Sequence, residues 1–291
     1  MKHIIFSVIA FTAFVMTANA QVDRNYIYRV SRGEITYTEP QAKKTTVGSV
    51  LGSLVTAAAG SNTEQHPEFA DNVRNAIAGA IGSARRLNVV DGQFLPGELA
   101  EGEEALTYDG SIGSISCTSQ NTTTKDDKGV SHTKIQYRAT IAITVNIKDV
   151  RTDQIVKTIS IGSGEYDYSW IETPEKAISN AIDRMRATIT RQLNLAWPMY
   201  ASIVEGNTAK KDKQKEVYID LGESMGAFKG MTFNVYTVLT VAGKEAKKEI
   251  GRLKITEVMG DDISLCKVTK GGVEIKQNID SGATLLITST N

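Results

Sequence analysis

The sequence predicts an α+β fold: a mostly antiparallel sheet carrying two packed helices, followed by a small all-β barrel or sandwich domain. Three observations carry that reading. From Ile135 to Ile147 the odd positions are Ile135, Tyr137, Ala139, Ile141, Ile143, Val145 and Ile147, while the even ones are mostly polar. That is the period of a strand buried on one face. Two segments, near residues 67–86 and 173–195, instead place apolar side chains at helical spacing. Beyond residue 216 come short β-branched runs separated by Gly-containing turns, with no helix longer than a turn, the pattern of a small barrel or sandwich.

Taken in order, residues 1–20 combine Lys2 and His3, an apolar run from Ile4 to Val15 and the ending Ala18-Asn19-Ala20. This is the pattern of a cleavable export signal, with the mature chain expected to start at Gln21. The apolar run is shorter than the roughly 20 residues a membrane-spanning helix needs. No cysteine follows it, so a lipid anchor of the bacterial lipoprotein kind has no attachment site. Residues 26–30 and 34–37 read as short strands around Ser31-Arg32-Gly33, forming a hairpin or a sheet edge. Residues 45–60, rich in Gly, Ala, Val and Ser, leave helix, inserted loop and surface-seeking segment open, with a buried or partner-covered helix favoured.

Pro67 and Glu68 open a helix as first-turn residues do, and Phe69, Val73, Ile77 and Ile81 form its apolar stripe. Arg85 and Arg86 are expected at its C-terminal end, where cations suit the helix dipole. Residues 87–90 follow as a buried strand. Residues 105–120 read as a strand broken by Gly110 and Gly113, and residues 121–132 as a solvated hairpin tip. After the long alternating strand, Asp149-Val150-Arg151-Thr152-Asp153 is a tight turn and residues 154–161 the next strand. Residues 162–170 continue extended, with Tyr166, Tyr168 and Trp170 on one face. Thr173 is the expected N-cap of a helix with Pro174 at its first position. That helix buries Ile178, Ile182, Met185, Ile189 and Leu193 and stops at Pro198, with residues 199–204 a final strand. The domain division expected is therefore 1–20 export signal, 21–205 α/β domain, 206–215 polar linker and 216–291 barrel-like domain.

Composition bounds the function. Lysines and arginines number 33 and aspartates and glutamates 33, so nucleic acid is not expected as a partner. Cys117 and Cys266 lie in different expected domains; a disulfide between them and two buried free thiols both remain open. Neither has a second ligand at metal-binding spacing. Of the histidines, His66 sits at a helix entry and His132 in a polar hairpin. No nucleophile elbow of the Gly-x-Ser-x-Gly type and no phosphate-cradling loop occurs in the sequence. No catalytic residue, metal ligand or cofactor is assigned. The basic run at residues 210–215 reads as a solvated linker in preference to a binding patch. The period-two aromatics Tyr166, Tyr168 and Trp170 fit either ligand stacking or, more simply, packing beneath the following helix.

In this order the pieces resemble a family of bacterial envelope proteins: the curli secretion-channel lipoproteins, with flagellar assembly protein T and the lipoprotein activators of penicillin-binding proteins among its relatives. The matching segments are Ala84-Arg85-Arg86-Leu87-Asn88-Val89-Val90-Asp91, Ala105-Leu106-Thr107-Tyr108-Asp109-Gly110, and the strand-turn-strand from Ile147 to Val156. In that turn Asp153 stands where the family usually has Gly. The tail, with Gly226-Ala227-Phe228-Lys229-Gly230-Met231-Thr232-Phe233 and then Ile250-Gly251-Arg252-Leu253-Lys254-Ile255, is similar to the C-terminal domain of flagellar assembly protein T. The resemblance implies a non-enzymatic binding or assembly accessory, periplasmic or associated with the outer membrane. Its expected partners are envelope proteins, a second copy of itself among them, with any membrane association made without a lipid anchor. The alternatives are an outer-membrane secretion-pore subunit and, behind it, a hydrolase lacking a recognisable motif. A pore would need lipid-facing strands of about 9–11 residues, and the apolar face of the long strand is already required to seat the helices. The interaction candidates are Tyr166, Tyr168, Trp170, Phe228 and Met231.

Overall fold

The structure, a computed structural model, describes residues 25–38, 61–101, 103–162 and 170–290. The expected export signal, residues 45–60, Tyr166 and Tyr168 lie outside the described residues. The fold class is as the sequence predicts, α+β with a mixed, largely antiparallel sheet and a closed six-stranded barrel.

The first body is organised on two long strands, β5 (Ala105–Lys125) and β6 (Ser131–Asp149), which pair antiparallel from Leu106 opposite Asp149 to Lys125 opposite Ser131. Gly110 and Gly113 do not break β5; a register shift between Ile112 and Ser114 absorbs the irregularity as a bulge. One edge of β5 is lined in turn by β1 (Tyr28–Ser31), β2 (Ile35–Tyr37) and β3 (Ser61–Gln65). The strands β1 and β2 do not form a hairpin. Both run parallel to β5, and β1 is inserted between it and β4 (Leu87–Val90). The turn joining them hugs β5 so closely that a Cβ on Gly33 would stand 1.7 Å from the Tyr108 carbonyl oxygen. On the other side β7 (Ile155–Ile161) pairs with β6.

The alternating face of β6 points inward: Ala139, Ile141, Ile143, Val145 and Ile147 are buried, and only the outer end differs, with Ile135 exposed and Tyr137 half-buried. Against that face lie α1 (Ala70–Gly82), through Val73, Ile77 and Ile81, and α2 (Pro174–Ala196), through Ile178, Met185, Ile189 and Leu193. A single 3-10 turn, Pro67–Phe69, leads into α1. The helices touch each other as well, the Thr190 hydroxyl donating to the Ala80 carbonyl at 3.0 Å. The expected N-cap is present: Thr173 Oγ1 accepts from the Lys176 amide at 3.3 Å, with Pro174 at the first helical position. Each of these side chains, taken fully out of water, contributes about 1.5–3 kcal/mol.

The second body is a barrel in the order β11 (Glu216–Ile219), β14 (Ser264–Lys270), β13 (Lys244–Val258), β12 (Thr232–Val241), β15 (Leu285–Ser289) and β8 (Tyr200–Gly206). The strand β8, which the sequence reading assigns to the first domain, closes this barrel by pairing with β11 and β15. Closure removes the exposed sheet edges that either neighbour would otherwise present. The domain boundary therefore falls between α2 and β8. Residues 206–215 are likewise folded against the barrel, where β9 (Ala209–Lys210) and β10 (Lys213–Gln214) form a separate two-stranded sheet. Their polar side chains serve local bonds: buried Gln214 donates to the Glu216 carbonyl at 2.7 Å, and the Thr208 hydroxyl donates to the Glu216 carboxylate at 2.6 Å. A helix the sequence reading misses, α3 (Gly272–Asp280), covers the barrel through Ile275, which is fully buried against Gly251. Its N-cap is Gly271 at φ +75°, where a Cβ would stand 1.8 Å from the Ile250 carbonyl oxygen, a left-handed conformation that favours glycine. The Gly-Gly pair that reads as a turn thus starts a helix.

Candidate interaction surfaces

The two bodies meet at a cluster that begins just beyond α1. Arg86 is not solvated near the helix end; it is buried at 6 % exposure. Its Nε donates to the Tyr26 carbonyl at 3.0 Å and its Nη1 to the Pro198 carbonyl at 3.2 Å. The guanidinium lies 5.5 Å from the Tyr28 ring centre and 5.8 Å from that of Tyr200, within reach of the cation–π attraction of both. Trp197, at the end of α2, meets Tyr28 edge-on at 6.2 Å. Asn25 completes the joint by pairing with the Tyr200 backbone, its amide donating to the carbonyl and its oxygen accepting from the amide, each at 2.8 Å. Burial pushes the Tyr28 phenol above its ordinary value, helped by the nearby Glu104 charge. Burial also draws the Arg86 guanidinium down, against the opposing pull of Tyr28, Tyr200 and Glu104. A planar, permanently charged fork is suited to this post because it ties two carbonyls and two rings at once.

The candidates read from sequence end up in different surroundings. Trp170 is half-buried beside β6, with the Arg138 guanidinium 4.7 Å from its ring centre. The next residue, Ile171, makes a two-way backbone bridge to Tyr137 that fixes the entry to α2. Phe228 is 45 % exposed and Arg85 stacks over it at 5.1 Å, so it sits on the joint between the bodies with one face open. Met231 is fully buried in the barrel core with Phe233 and Val235; the surface role expected of it is corrected to a packing one. Its neighbours in sequence alternate across a strand wall, and Met231 faces inward.

Two hairpins have exposed ends: the first is the solvated tip that the sequence reading gives at residues 121–132, and the second is not read from the sequence. Among the described residues, 121–125 of β5 and 131–135 of β6 pair with each other and with no further strand. The arm is exposed and polar, with Thr123 and Thr133 hydroxyls 3.1 Å apart. Asp126 closes its tip by accepting from the Lys128 and Val130 amides, both at 2.9 Å, and meets His132 at 3.2 Å. Among the described residues, 238–241 of β12 and 244–247 of β13 pair only with each other, beyond the last contact with β15 at Thr237. Here Val238, Leu239 and Val241 are exposed at 44, 42 and 59 %. The signal available in the sequence was the aliphatic end of β12, which continues past the point where alternation would turn polar.

The remaining titratable groups are dispersed. His66 pairs with Glu68 at 2.8 Å on the surface, apart from the His132–Asp126 pair. Among the described residues no group of three or more His, Cys, Asp and Glu is placed to hold a metal ion. Cys117 and Cys266 are free buried thiols, one in each core, and burial pushes Cys266 up to about 12. Asp109 is held below the usual carboxylate range by its bonds to Lys148 and Asn146. An open recess of about 480 Å³ at the start of α3 is lined by Lys213, Lys248 and Lys270 together with Glu249 and Glu274. No helix among the described residues is long and apolar enough to cross a membrane.

No protein-family model and no curated relative matches this chain. Among solved structures, a protein described as a neuraminyllactose-binding hemagglutinin homolog from Helicobacter pylori is similar over 58 % of this chain and 83 % of its own, at 12 % identity and a TM-score of 0.31. A likeness of that size carries no argument about function.

Proposed function

We propose that this chain is a binding and assembly accessory of the cell envelope, exported to the periplasm or the periphery of the outer membrane, and that it works through protein surfaces in place of a catalytic site. The observation that supports this most is mechanical: two apolar cores are tied together at Arg86, and each sheet ends in an exposed paired hairpin. A joint that links two such arms suits a scaffold that must present two contacts at once. The family resemblance points the same way. The alternative of a pore subunit has two observations against it: the apolar face of the long strand β6 is buried beneath the helices, and the polarity of the barrel is the reverse of a membrane-spanning one. Transmembrane barrels start at about eight strands and place an apolar band outside a polar lumen. This barrel has six strands and fills its interior with Val217, Ile219, Phe233, Val235, Leu253, Ile255 and Ile287.

The test is made in intact cells of a Gram-negative host. The chain is expected in the osmotic-shock fluid or with outer membranes, and a photo-crosslinker at Thr124 on the polar arm is expected to give discrete adducts with envelope proteins. Retention in the cytoplasm, or adducts no more frequent than from a probe at exposed Asn88, would overturn the reading.

A further inference from the structure

We propose that the free end of the β12–β13 hairpin is a membrane-docking element that enters the headgroup layer of a bilayer containing anionic phospholipid. Single exposed aliphatic side chains are ordinary on protein surfaces. Here three fall within four consecutive positions at the end of one arm, Val238, Leu239 and Val241, each more than two-fifths exposed. Cross-strand pairing sets a lysine beside two of them: Val238 is opposite Lys247 and Val241 opposite Lys244, while Leu239 is opposite Ala246. Residues directly opposite share a face. Both faces of the arm therefore carry an aliphatic side chain next to a lysine, and Lys248 follows on the strand.

Residues 238–248 hold three lysines against one acid, Glu245. At the base of the arm the charge becomes mixed, since the recess that Lys248 borders holds Lys213 and Lys270 together with Glu249 and Glu274, so the basic excess belongs to the arm itself. An apolar tip ringed by lysines matches an anionic interface: the aliphatic groups leave water for the acyl boundary, and the flexible lysine stems let their ammonium groups stay at the phosphates. A second copy of the chain fits less well, because the tips would repel each other and lysines on an exposed strand edge oppose strand-to-strand pairing. The envelope reading matters only for where such a bilayer would be met; the contact itself is tested with purified protein, so the two fail separately.

The full chain is sedimented with vesicles of phosphatidylcholine, with and without phosphatidylglycerol. Binding is expected only with phosphatidylglycerol, and it should weaken as salt rises. Lys244→Gln/Lys247→Gln/Lys248→Gln is expected to weaken binding about a hundredfold, at about fivefold for each lysine. Val238→Ser/Leu239→Ser/Val241→Ser should weaken it about tenfold or more, with thermal melting unchanged in both. As a separate readout, Val241→Trp should gain blue-shifted emission over the wild type when anionic vesicles are added. The proposal is overturned if the wild type stays in solution, if either triple variant binds as the wild type does, or if Trp emission does not move. A change of oligomeric mass in the Ser variant would also overturn it, since the arm would then be a contact between copies.

Discussion

At the scale of single residues, Arg86 carries more of the architecture than any side chain on the surface. Truncating it would leave the part-buried Tyr26 and Pro198 carbonyls without their donor and would open the contact with Tyr28 and Tyr200. Arg86→Met is therefore expected to cost about 2–3 kcal/mol, read as a lower urea midpoint. Arg86→Lys should recover little, because a single ammonium cannot span both carbonyls and both rings. The cysteines give a second test at this scale. Both thiols should resist Ellman's reagent at neutral pH in the folded chain and react once it is unfolded, because each is packed in a core. For Cys266 the folded value, about 12, lies above the ordinary 9.0. The unfolded thiol thus ionises first. Its contribution to stability is whole below pH 9 and declines as pH rises toward 12. Cys266→Ala should flatten that alkaline decline in denaturation curves measured across the interval.

Among the elements, β6 and α2 are where sequence and structure agree most closely, for a local reason. A period of two along β6 and a capped period of 3.6 along α2 are properties of neighbouring residues and survive whatever packs on them. Ile141→Ala, at the centre of the inward face, is expected to cost about 2–5 kcal/mol through lost burial and a residual cavity. Thr173→Ala should cost about 1 kcal/mol by leaving the first turn of α2 uncapped. Chemical denaturation of each variant checks both figures. The features hidden from sequence depend on partners far along the chain. The strand β8 belongs to the barrel because its partners, β11 and β15, lie after it. The strand β1 is inserted parallel between β4 and β5, a choice its four residues do not encode by themselves. The helix α3 was masked by its Gly-Gly start, and Arg86 by a basic pair that suits a solvated helix end equally well. The surface candidates fared unevenly for the same reason: an aromatic or methionine at a turn does not reveal which way it points, so Phe228 is half open and Met231 closed.

For the whole molecule, the Arg86 cluster is the link between the two bodies that carry the arms. Arg86→Met is expected to loosen that link without emptying either core, so that unfolding followed by probes in the two bodies ceases to coincide. The apolar face of β6 is sealed beneath the two helices while the arms stand in solvent. Amide hydrogen exchange on the full chain tests it most directly. The amides of residues 139–147 should be among the slowest to exchange, with residues 121–135 and 238–247 fast by comparison. Exchange at residues 139–147 as rapid as on the arms would contradict the account.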